Sequence, residues 1–148
     1  MSIYNHILVA VDESPISFAA AAQARALAQI TQSKVTLLSV VAVDPFVGVD
    51  FYVIAPAITD YFMHAEKNAQ DRLKELASGF EADEILVATK IVHGVTAAEG
   101  ILKTAEELGS DLIIMGSHGR GALEKVVLGS VAQKVLSASH IPVLIVKA

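Results

Sequence analysis

A run of glycines and one serine lies between two apolar segments near the end of the chain. Gly116, Gly119 and Gly121 follow segment 111–115, while Gly129 and Ser130 precede segment 131–136. Glycine can adopt backbone angles closed to other residues, and it lets a ligand approach backbone N–H groups without a Cβ in the way. A helix with Ser130 as its N-cap would add free N–H groups and the positive end of its dipole. The pattern predicts a phosphate site; the alternative is an ordinary glycine-rich loop between a strand and a helix.

Two common phosphate motifs do not fit this loop. Four residues separate Gly116 from Gly121, but Ala122 and Leu123 stand where a P-loop needs lysine and then serine or threonine. A dinucleotide fingerprint also fails, because Glu124 stands at the place of the third glycine and the loop lies late in the chain. The loop is therefore of a different kind from either motif.

Three ionisable residues could contact the same ligand. Asp12 closes the first apolar segment, and its carboxylate could bind ribose hydroxyls or a phosphate-bound Mg²⁺, which prefers hard oxygen ligands. The alternative role of Asp12 is to cap the helix that follows it. His118 and Arg120 add a titratable donor and a fixed cation beside the glycines, or they are solvated loop residues.

The chain offers few candidates for catalysis. Ser14, Ser117 and Ser130 lie in no Gly-x-Ser-x-Gly elbow, and no His and Asp pair is identifiable as support for a serine nucleophile. Ser117 is better interpreted as a loop residue behind the groups that contact the ligand. The histidines outside the loop have no metal-ligand spacing and are interpreted as structural or surface groups. We therefore expect binding rather than turnover.

The elements that must position these residues alternate between strand and helix. Strands are predicted at residues 7–11, 34–43, 84–92, 111–115 and 141–146. Helices are predicted from Pro15 to residue 30 with Ser14 as N-cap, over 60–77 with Gly79 as the stop, between Thr96 and Gly109, and from residue 131. Residues 46–58 are predicted to be an irregular connection that could act as a lid, because glycine, aspartate and proline interrupt them.

This alternation predicts an α/β fold. We expect a five-stranded parallel doubly wound (Rossmann-like) sheet in the order 3-2-1-4-5, with helices on both faces. Ligands of such sheets bind beyond the carboxyl ends of the strands. Asp12, Val41 and Gly116 stand at or near the ends of the first, second and fourth predicted strands. All three should therefore lie around a single site.

Composition limits the class of protein. The chain has 148 residues, of which 53% are hydrophobic, and this suits one domain over residues 1–148. Sixteen acidic and eleven basic residues give a net charge of −5, which disfavours a nucleic-acid partner. The absence of cysteine excludes a disulfide framework and a thiolate metal site. No signal-peptide pattern or bilayer-length apolar run is visible, so we expect a cytoplasmic protein without membrane insertion.

The spacing of the loop residues resembles a family motif. Gly116, Gly119, Gly129 and Ser130 fit Gly-x2-Gly-x9-Gly-Ser, and this motif resembles that of the nucleotide-binding branch of the universal stress protein family. The resemblance covers nearly the whole chain. Segment 6–12 is similar to the family's opening strand, and segments 111–116 and 141–146 resemble its fourth and closing strands.

The resemblance implies an adenine nucleotide as ligand: ATP, or AMP or ADP. It implies that Asp12 contacts the nucleotide, with nucleotide-bound Mg²⁺ as a candidate cofactor there, and that backbone groups at Val40 or Val41 face the adenine base. The candidate nucleotide-binding residues are Ala10, Val11, Asp12, Ser14, Val40, Val41, Met115, Gly116, Ser117, His118, Gly119, Arg120, Gly129, Ser130, Val131 and Ala132.

The function expected from these observations is nucleotide binding in a stress-response or regulatory protein, and two other classes stay open. One is slow ATP hydrolysis or adenylyl transfer, for which no general base is visible. The other is a module that binds a regulatory protein partner and holds no nucleotide. The intact glycines and Ser130 count against that last class.

The final strand, Pro142–Val146, predicts a homodimer. The fifth strand of such a sheet lies at an edge, and the two residues after it, Lys147 and Ala148, are too few to cover its N–H and C=O groups. Antiparallel pairing with a second copy would satisfy those groups, and the family resemblance implies the same arrangement. The alternative is an edge that its own twist and Lys147 protect.

Overall fold

Strands and helices alternate along the chain, as the sequence predicts. The computed structural model describes residues 3–41, 51–118 and 128–147, and for residues 51–62 it describes the backbone alone. The elements in chain order are β1 (His6–Ala10), α1 (Ile16–Thr31), β2 (Lys34–Val41), α2 (Phe51–Ala82), β3 (Val87–His93), α3 (Ala97–Leu108), β4 (Leu112–Gly116), α4 (Ser130–Ala138) and β5 (Val143–Val146).

The five strands form one parallel sheet in the order β3-β2-β1-β4-β5, which confirms the predicted fold. β1 lies in the middle, where Ile7 pairs with Val35 of β2 and with Leu112 of β4. Ile7, Leu8 and Val9 are completely buried. A continuous apolar run is what a strand needs when helices cover both of its faces, so this run accounts for the central place of β1.

The core has a layer on each face of the sheet. Because successive side chains of a strand point to opposite faces, Ile7 and Val9 lie in one layer and Leu8 in the other. The first layer contains buried residues of α1 and α2. The second contains Ile101 of α3 and Val135 of α4. Helices therefore cover both faces, as predicted.

The region before β3 differs from the prediction. α2 begins at Phe51, so the irregular connection predicted for residues 46–58 is wrong over 51–58, and the rest of that prediction lies outside the described residues. Pro56 costs this helix one backbone hydrogen bond, which does not end it. Gly79 does not stop the helix either, since α2 continues to Ala82. A Cβ on Gly79 would lie 3.0 Å from Nη1 of Arg25, so this glycine leaves space for a side chain of α1.

The ends of α3 confirm the sequence signals. The Thr96 hydroxyl accepts a hydrogen bond from the backbone N–H of Glu99 at 3.3 Å, as an N-cap does. Gly109 ends the helix with φ of 64°, and its N–H donates to the carbonyl groups of Ala105 and Glu106. A left-handed residue at this place is the usual glycine C-cap.

Other boundaries shift by a few residues. β1 and β4 each differ from prediction by one residue at each end. β3 spans 87–93 rather than 84–92, and β5 begins at Val143, so Ile141 and Pro142 lie outside it. The described part of β2 ends at Val41, so the predicted residues 42 and 43 lie outside the described residues. Among the described helices, none is long and apolar enough to cross a membrane.

Candidate functional site

The candidate residues gather at the carboxyl edge, the side of the sheet where β1, β2 and β4 end. β1 and β4 are neighbours, and the chain leaves β1 toward β2 on one side of the sheet while β4 leads to β5 on the other. In doubly wound sheets, ligands bind in the crevice at such a switch point. The described candidates at the ends of these strands or at the start of α4 are Ala10, Val11, Asp12, Ser14, Val40, Val41, Met115, Gly116, Ser117, His118, Gly129, Ser130, Val131 and Ala132.

Asp12 organises the turn between β1 and α1. Its Oδ1 accepts hydrogen bonds from the backbone N–H of Ser14 at 2.8 Å, from the Ser17 hydroxyl at 2.8 Å, and from the Ser14 hydroxyl. The Ser17 hydroxyl also accepts the N–H of Asp12 at 2.8 Å. Both serines are buried, so these bonds fix the carboxylate at the edge of the sheet. The structural role that the sequence left open for Asp12 is therefore present.

Two sequence interpretations change at this turn. Ser14 is not the N-cap of α1, because Pro15 occupies that position without a side-chain hydrogen bond and the Ser14 hydroxyl donates to Asp12 instead. Ser17 was not predicted as part of the site. The sequence pattern that could have indicated Ser17 is a serine in the first turn of a helix, five residues after an aspartate. This pattern alone is weak.

The two ends of the loop after β4, at Ser117 and Gly129, are hydrogen-bonded to each other. The Ser117 N–H donates to the carbonyl of Val146 in β5 at 2.8 Å, and the Gly129 N–H donates to the carbonyl of Ser117 at 2.6 Å. Ser117 is buried, as a residue behind the ligand-contacting groups should be, and His118 is half-buried. Gly119 and Arg120, both predicted to contact the ligand, lie outside the described residues.

Gly116 and Gly129 are needed for close packing rather than for unusual backbone angles. Gly116 belongs to β4, and Gly129 has φ of −70°, which any residue adopts. A Cβ on Gly116 would lie 2.6 Å from Cγ2 of Ile16, and one on Gly129 would lie 3.1 Å from Cα of His118. At these two positions the glycine therefore admits a neighbouring part of the protein, which corrects the expectation that the ligand occupies that space.

The start of α4 presents backbone N–H groups at this edge. The first helical hydrogen bond runs from the N–H of Gln133 to the carbonyl of Gly129 at 3.0 Å. The amides of Ser130, Val131 and Ala132 precede that bond and, by the geometry of a helix, have no acceptor within it. Together with the positive end of the dipole of this nine-residue helix, they form an environment that favours an anion.

Ser130 is not the N-cap of α4, contrary to the sequence interpretation. Gly129 is the N-cap, with extended backbone and no side-chain hydrogen bond, and Ser130 is the first helical residue. The Ser130 side chain is exposed at the helix start. Its hydroxyl is therefore available to a ligand without being required by the helix.

The ends of β2 and β3 form the other part of this edge. Val41 is buried, whereas Val40 is half-buried and lies under α3, because a Cβ on Gly100 would be 2.7 Å from Cγ2 of Val40. Val41 pairs in register with His93, the last residue of β3. Nε2 of His93 lies 3.2 Å from Oε1 of Glu66 in α2.

The remaining histidines lie away from this edge or on the surface. His6 is buried at the opposite edge of the sheet, where Nε2 is 2.7 Å from the Thr36 hydroxyl. His64 and His140 are exposed. Within the described ranges, no group of three His, Cys, Asp or Glu side chains is arranged to hold a metal ion.

Comparison with known sequences shows the family. The sequence model described as the universal stress protein family matches residues 3–147, so the chain belongs to that family. Universal stress protein MJ0531 of Methanocaldococcus jannaschii is 35% identical to it over 149 residues, which cover 99% of this chain and 84% of MJ0531.

Solved structures show the same fold. Universal stress protein UspA from Lactobacillus plantarum has a TM-score of 0.88 at 24% identity, with 99% of each chain covered. MJ0577 of Methanocaldococcus jannaschii has a TM-score of 0.85 at 29% identity, with 99% of this chain and 97% of that chain covered.

Two further structures of the family contain nucleotides. A universal stress protein from Archaeoglobus fulgidus was solved in complex with dAMP; its TM-score is 0.68 at 20% identity, with 97% of this chain and 98% of that chain covered. Another was solved in complex with cAMP; its TM-score is 0.66 at 23% identity, with 98% of each chain covered. At these identities the likeness to this chain is one of fold alone.

Proposed function

We propose that this chain binds an adenine nucleotide, ATP or else AMP or ADP, and acts as a stress-response or regulatory protein through binding rather than turnover. The observation that carries the proposal is the start of α4. Three N–H groups that precede the first helical hydrogen bond lie beside the β1–β4 switch point. The dAMP and cAMP complexes of proteins with this fold support the same class of ligand.

In this proposal the phosphates occupy the start of α4. The chain carries a net charge of −5, so binding of an anion depends on local groups rather than on the overall charge. The amides of Ser130, Val131 and Ala132, the Ser130 hydroxyl and the helix dipole supply them. Arg120, which the sequence predicts to contact the ligand, would add a fixed positive charge.

The ribose and the base extend from there across the carboxyl edge. Asp12 follows β1, which lies between β4 and β2. Its carboxylate would bind a ribose hydroxyl or a nucleotide-bound Mg²⁺, because Mg²⁺ prefers hard oxygen ligands. The base would lie against the ends of Val40 and Val41. Because parallel strands are spaced about 4.8 Å apart, the end of β2 lies about 10 Å from the end of β4, on the far side of β1. The nucleotide would therefore cross the edge with its phosphates at β4.

Asp12 is a poor candidate for a general base. Its Oδ1 already accepts three hydrogen bonds from the turn that it organises, so this oxygen is engaged in holding the turn. This arrangement fits binding better than the alternative of ATP hydrolysis or adenylyl transfer.

Mass spectrometry of the protein, purified and then denatured without added nucleotide, tests the proposal. We expect an adenine nucleotide in the denatured sample, and saturable binding of ATP or AMP to the emptied protein in calorimetry. Protein that carries no nucleotide and binds neither ATP nor AMP would contradict nucleotide binding. Steady hydrolysis near the ~10 s⁻¹ median of enzymes would favour the enzymatic alternative.

The proposed function includes a homodimer through β5. This strand lies at the edge of the sheet, next to β4, and Leu144 on it is 39% exposed. An apolar edge strand with unpaired backbone groups is a surface that a second copy covers by antiparallel pairing about a two-fold axis. The paired strands would join the two sheets.

Light scattering at micromolar concentration tests the dimer. We expect the mass of two chains for the wild type. The variant with Leu144→Lys and Val146→Lys should yield monomers or insoluble protein, because four lysines would face one another across the axis. Matched substitutions on the exposed surface of α2, Asn68→Lys and Gln70→Lys, should leave the dimer intact. A monomeric wild type would contradict the interface.

A further inference from the structure

We propose that His93, held by Glu66, is a specificity-determining residue that recognises the base of the nucleotide and favours adenine over guanine. The inference rests on the proposed function, since it requires a nucleotide at the carboxyl edge. In the sequence, His93 has no metal-ligand spacing and is interpreted as a structural or surface group, and its partner Glu66 lies 27 residues away along the chain.

The position of His93 is the first argument. Its Cα pairs in register with the Cα of Val41, and the two residues are the last of β3 and β2. One strand spacing, about 4.8 Å, therefore separates His93 from the residue proposed to face the base. In the strand order, β3 is the outermost strand on this side of the sheet. Among the described residues, the end of β3 thus bounds the base end of the site.

The contact with α2 is the second argument. Nε2 of His93 lies 3.2 Å from Oε1 of Glu66, and the side chains are 47% and 43% exposed. A pair so exposed contributes little to stability, so folding alone gives a weak reason for it. Half of the imidazole surface remains open to a ligand, while the carboxylate fixes the orientation of the ring.

The chemistry of the pair gives the direction of the preference. A carboxylate only accepts hydrogen bonds, so Glu66 favours the proton on Nε2 of His93 and leaves Nδ1 of the neutral ring as an acceptor. Adenine carries an amino donor at position 6, where guanine carries a carbonyl acceptor. An acceptor at Nδ1 matches adenine and repels guanine, so Glu66 acts as a positioning residue for this choice.

Calorimetry with ATP and GTP tests the inference, because the two ligands share their phosphates and differ only in the base. We expect the wild type to prefer ATP and His93→Ala to lower the ratio of the two affinities about fivefold, the value of one hydrogen bond. His140→Ala is the matched control and should keep the wild-type ratio. His140 is exposed and lies just before β5, on the side of the sheet opposite to the carboxyl edge.

Variants of Glu66 separate positioning from mere packing. Glu66→Ala should lower the ATP to GTP ratio part of the way toward that of His93→Ala. Glu66→Gln, which keeps an acceptor oxygen for Nε2, should restore most of the ratio. A Glu66→Gln protein that behaves like Glu66→Ala would overturn the positioning role.

The outcomes distinguish this inference from the proposed function. A wild type that binds neither ATP nor GTP would overturn nucleotide binding itself. A wild type that binds ATP but does not prefer it would overturn only the role of His93. The role of His93 would also be overturned if His93→Ala kept the wild-type ratio, including the case in which the affinities for ATP and GTP fall equally.

Discussion

The two edges of the same sheet differ in what their polar groups bond to. At the carboxyl edge, α4 begins with three N–H groups that no residue of the helix can accept, and the exposed Ser130 hydroxyl lies among them. At the amino edge, the side of the sheet where the strands begin and the helices end, several backbone groups bond to the protein itself. Gly109 donates to the last turn of α3, and the Asp111 carboxylate accepts the N–H groups of Asn5 at 2.8 Å and His6 at 3.0 Å.

This difference follows from the parallel topology. Every helix between two parallel strands begins at the carboxyl edge and ends at the amino edge, so the positive dipole ends collect at the carboxyl edge. The residues around each helix start then decide whether its free N–H groups find an acceptor within the protein. α3 is capped by Thr96, and at the start of α1 the N–H groups of Ser17 and Phe18 donate to the carbonyl groups of Ser14 and Pro15. α4 has a glycine at its N-cap and no side-chain bond there. Among these three helix starts, that of α4 is therefore the one proposed to bind a ligand.

The largest expected effect is that of Gly129→Val at the carboxyl edge. A Cβ at this position would lie 3.1 Å from Cα of His118 and 3.3 Å from the carbonyl oxygen of Ser117, so the loop must shift away from the start of α4. We expect ATP affinity in calorimetry to fall by more than about 100-fold, because the amides would no longer be placed around one anion. The far-UV circular dichroism spectrum should be unchanged.

Gly109→Ala is the matched control at the amino edge. Gly109 has φ of 64°, and none of the described atoms beyond its chain neighbours lies within 4 Å of the place that an alanine methyl group would take, so the change adds backbone strain without a clash. It should cost about 1 kcal/mol of unfolding free energy and leave ATP affinity unchanged. If Gly129→Val kept wild-type affinity, the phosphate assignment would fail.

The next effect is on stability and belongs to the amino edge. Asp111→Ala removes the acceptor of two backbone N–H groups, those of Asn5 and His6. We expect a loss of about 2 kcal/mol in urea unfolding, since hydrogen bonds to a charged group are among the stronger ones. Asp111→Asn keeps one acceptor oxygen and should lose about half as much. A fall in ATP affinity with either variant would mean that the two edges are not independent.

The sequence predicts most of the fold because each strand combines an apolar run with a clear boundary. Thr96 and Gly109 bound α3 as expected, since capping depends on residues close together in the chain. Gly79 was wrongly expected to end α2, because it lies inside the helix and next to the Arg25 side chain of α1. Such a contact between distant segments leaves no local pattern.

The positions of the candidate site residues in the fold were predictable from the sequence, but their hydrogen bonds were not. The motif places Gly129 and Ser130 at the start of α4, but which of them is the N-cap depends on a shift of one residue in the helix start. The Ser14 hydroxyl had two possible partners, the helix and Asp12, and sequence alone does not decide between them. His93 and Glu66 meet only because α2 packs beside β3.

A smaller effect is expected from Ser130→Ala. Since the Ser130 hydroxyl makes no capping bond and the side chain is exposed, the unfolding free energy should stay within about 0.5 kcal/mol of the wild-type value. ATP affinity should fall about fivefold, the loss of one hydrogen bond of about 1 kcal/mol. Loss of stability with unchanged affinity would assign the hydroxyl to the helix rather than to the ligand.

The smallest effect concerns pH and the amino edge. Burial lowers the pKa of His6 below its usual 6.5, and the nearby charge of Lys34 lowers it further, while the Leu108 carbonyl and the Asp111 carboxylate oppose the shift. Between the folded and the unfolded pKa, the unfolded chain binds more protons than the folded one. Stability therefore rises with pH in this window. The contribution is fully present above pH 6.5 and is lost as the pH falls through the pKa of the folded state.

Urea unfolding of the wild type and of His6→Gln, each at pH 7.5 and at about pH 5, measures this contribution. Glutamine keeps a polar group beside the Thr36 hydroxyl but does not titrate, and all other ionisable groups are common to the two proteins. We expect the wild type to lose more stability than the variant on acidification, because a proton on His6 would place a charge in a buried position. Equal losses of stability would show that the folded protein accommodates the charged imidazole. The ATP affinity at pH 7.5 should be the same for the wild type and His6→Gln, since His6 lies at the amino edge.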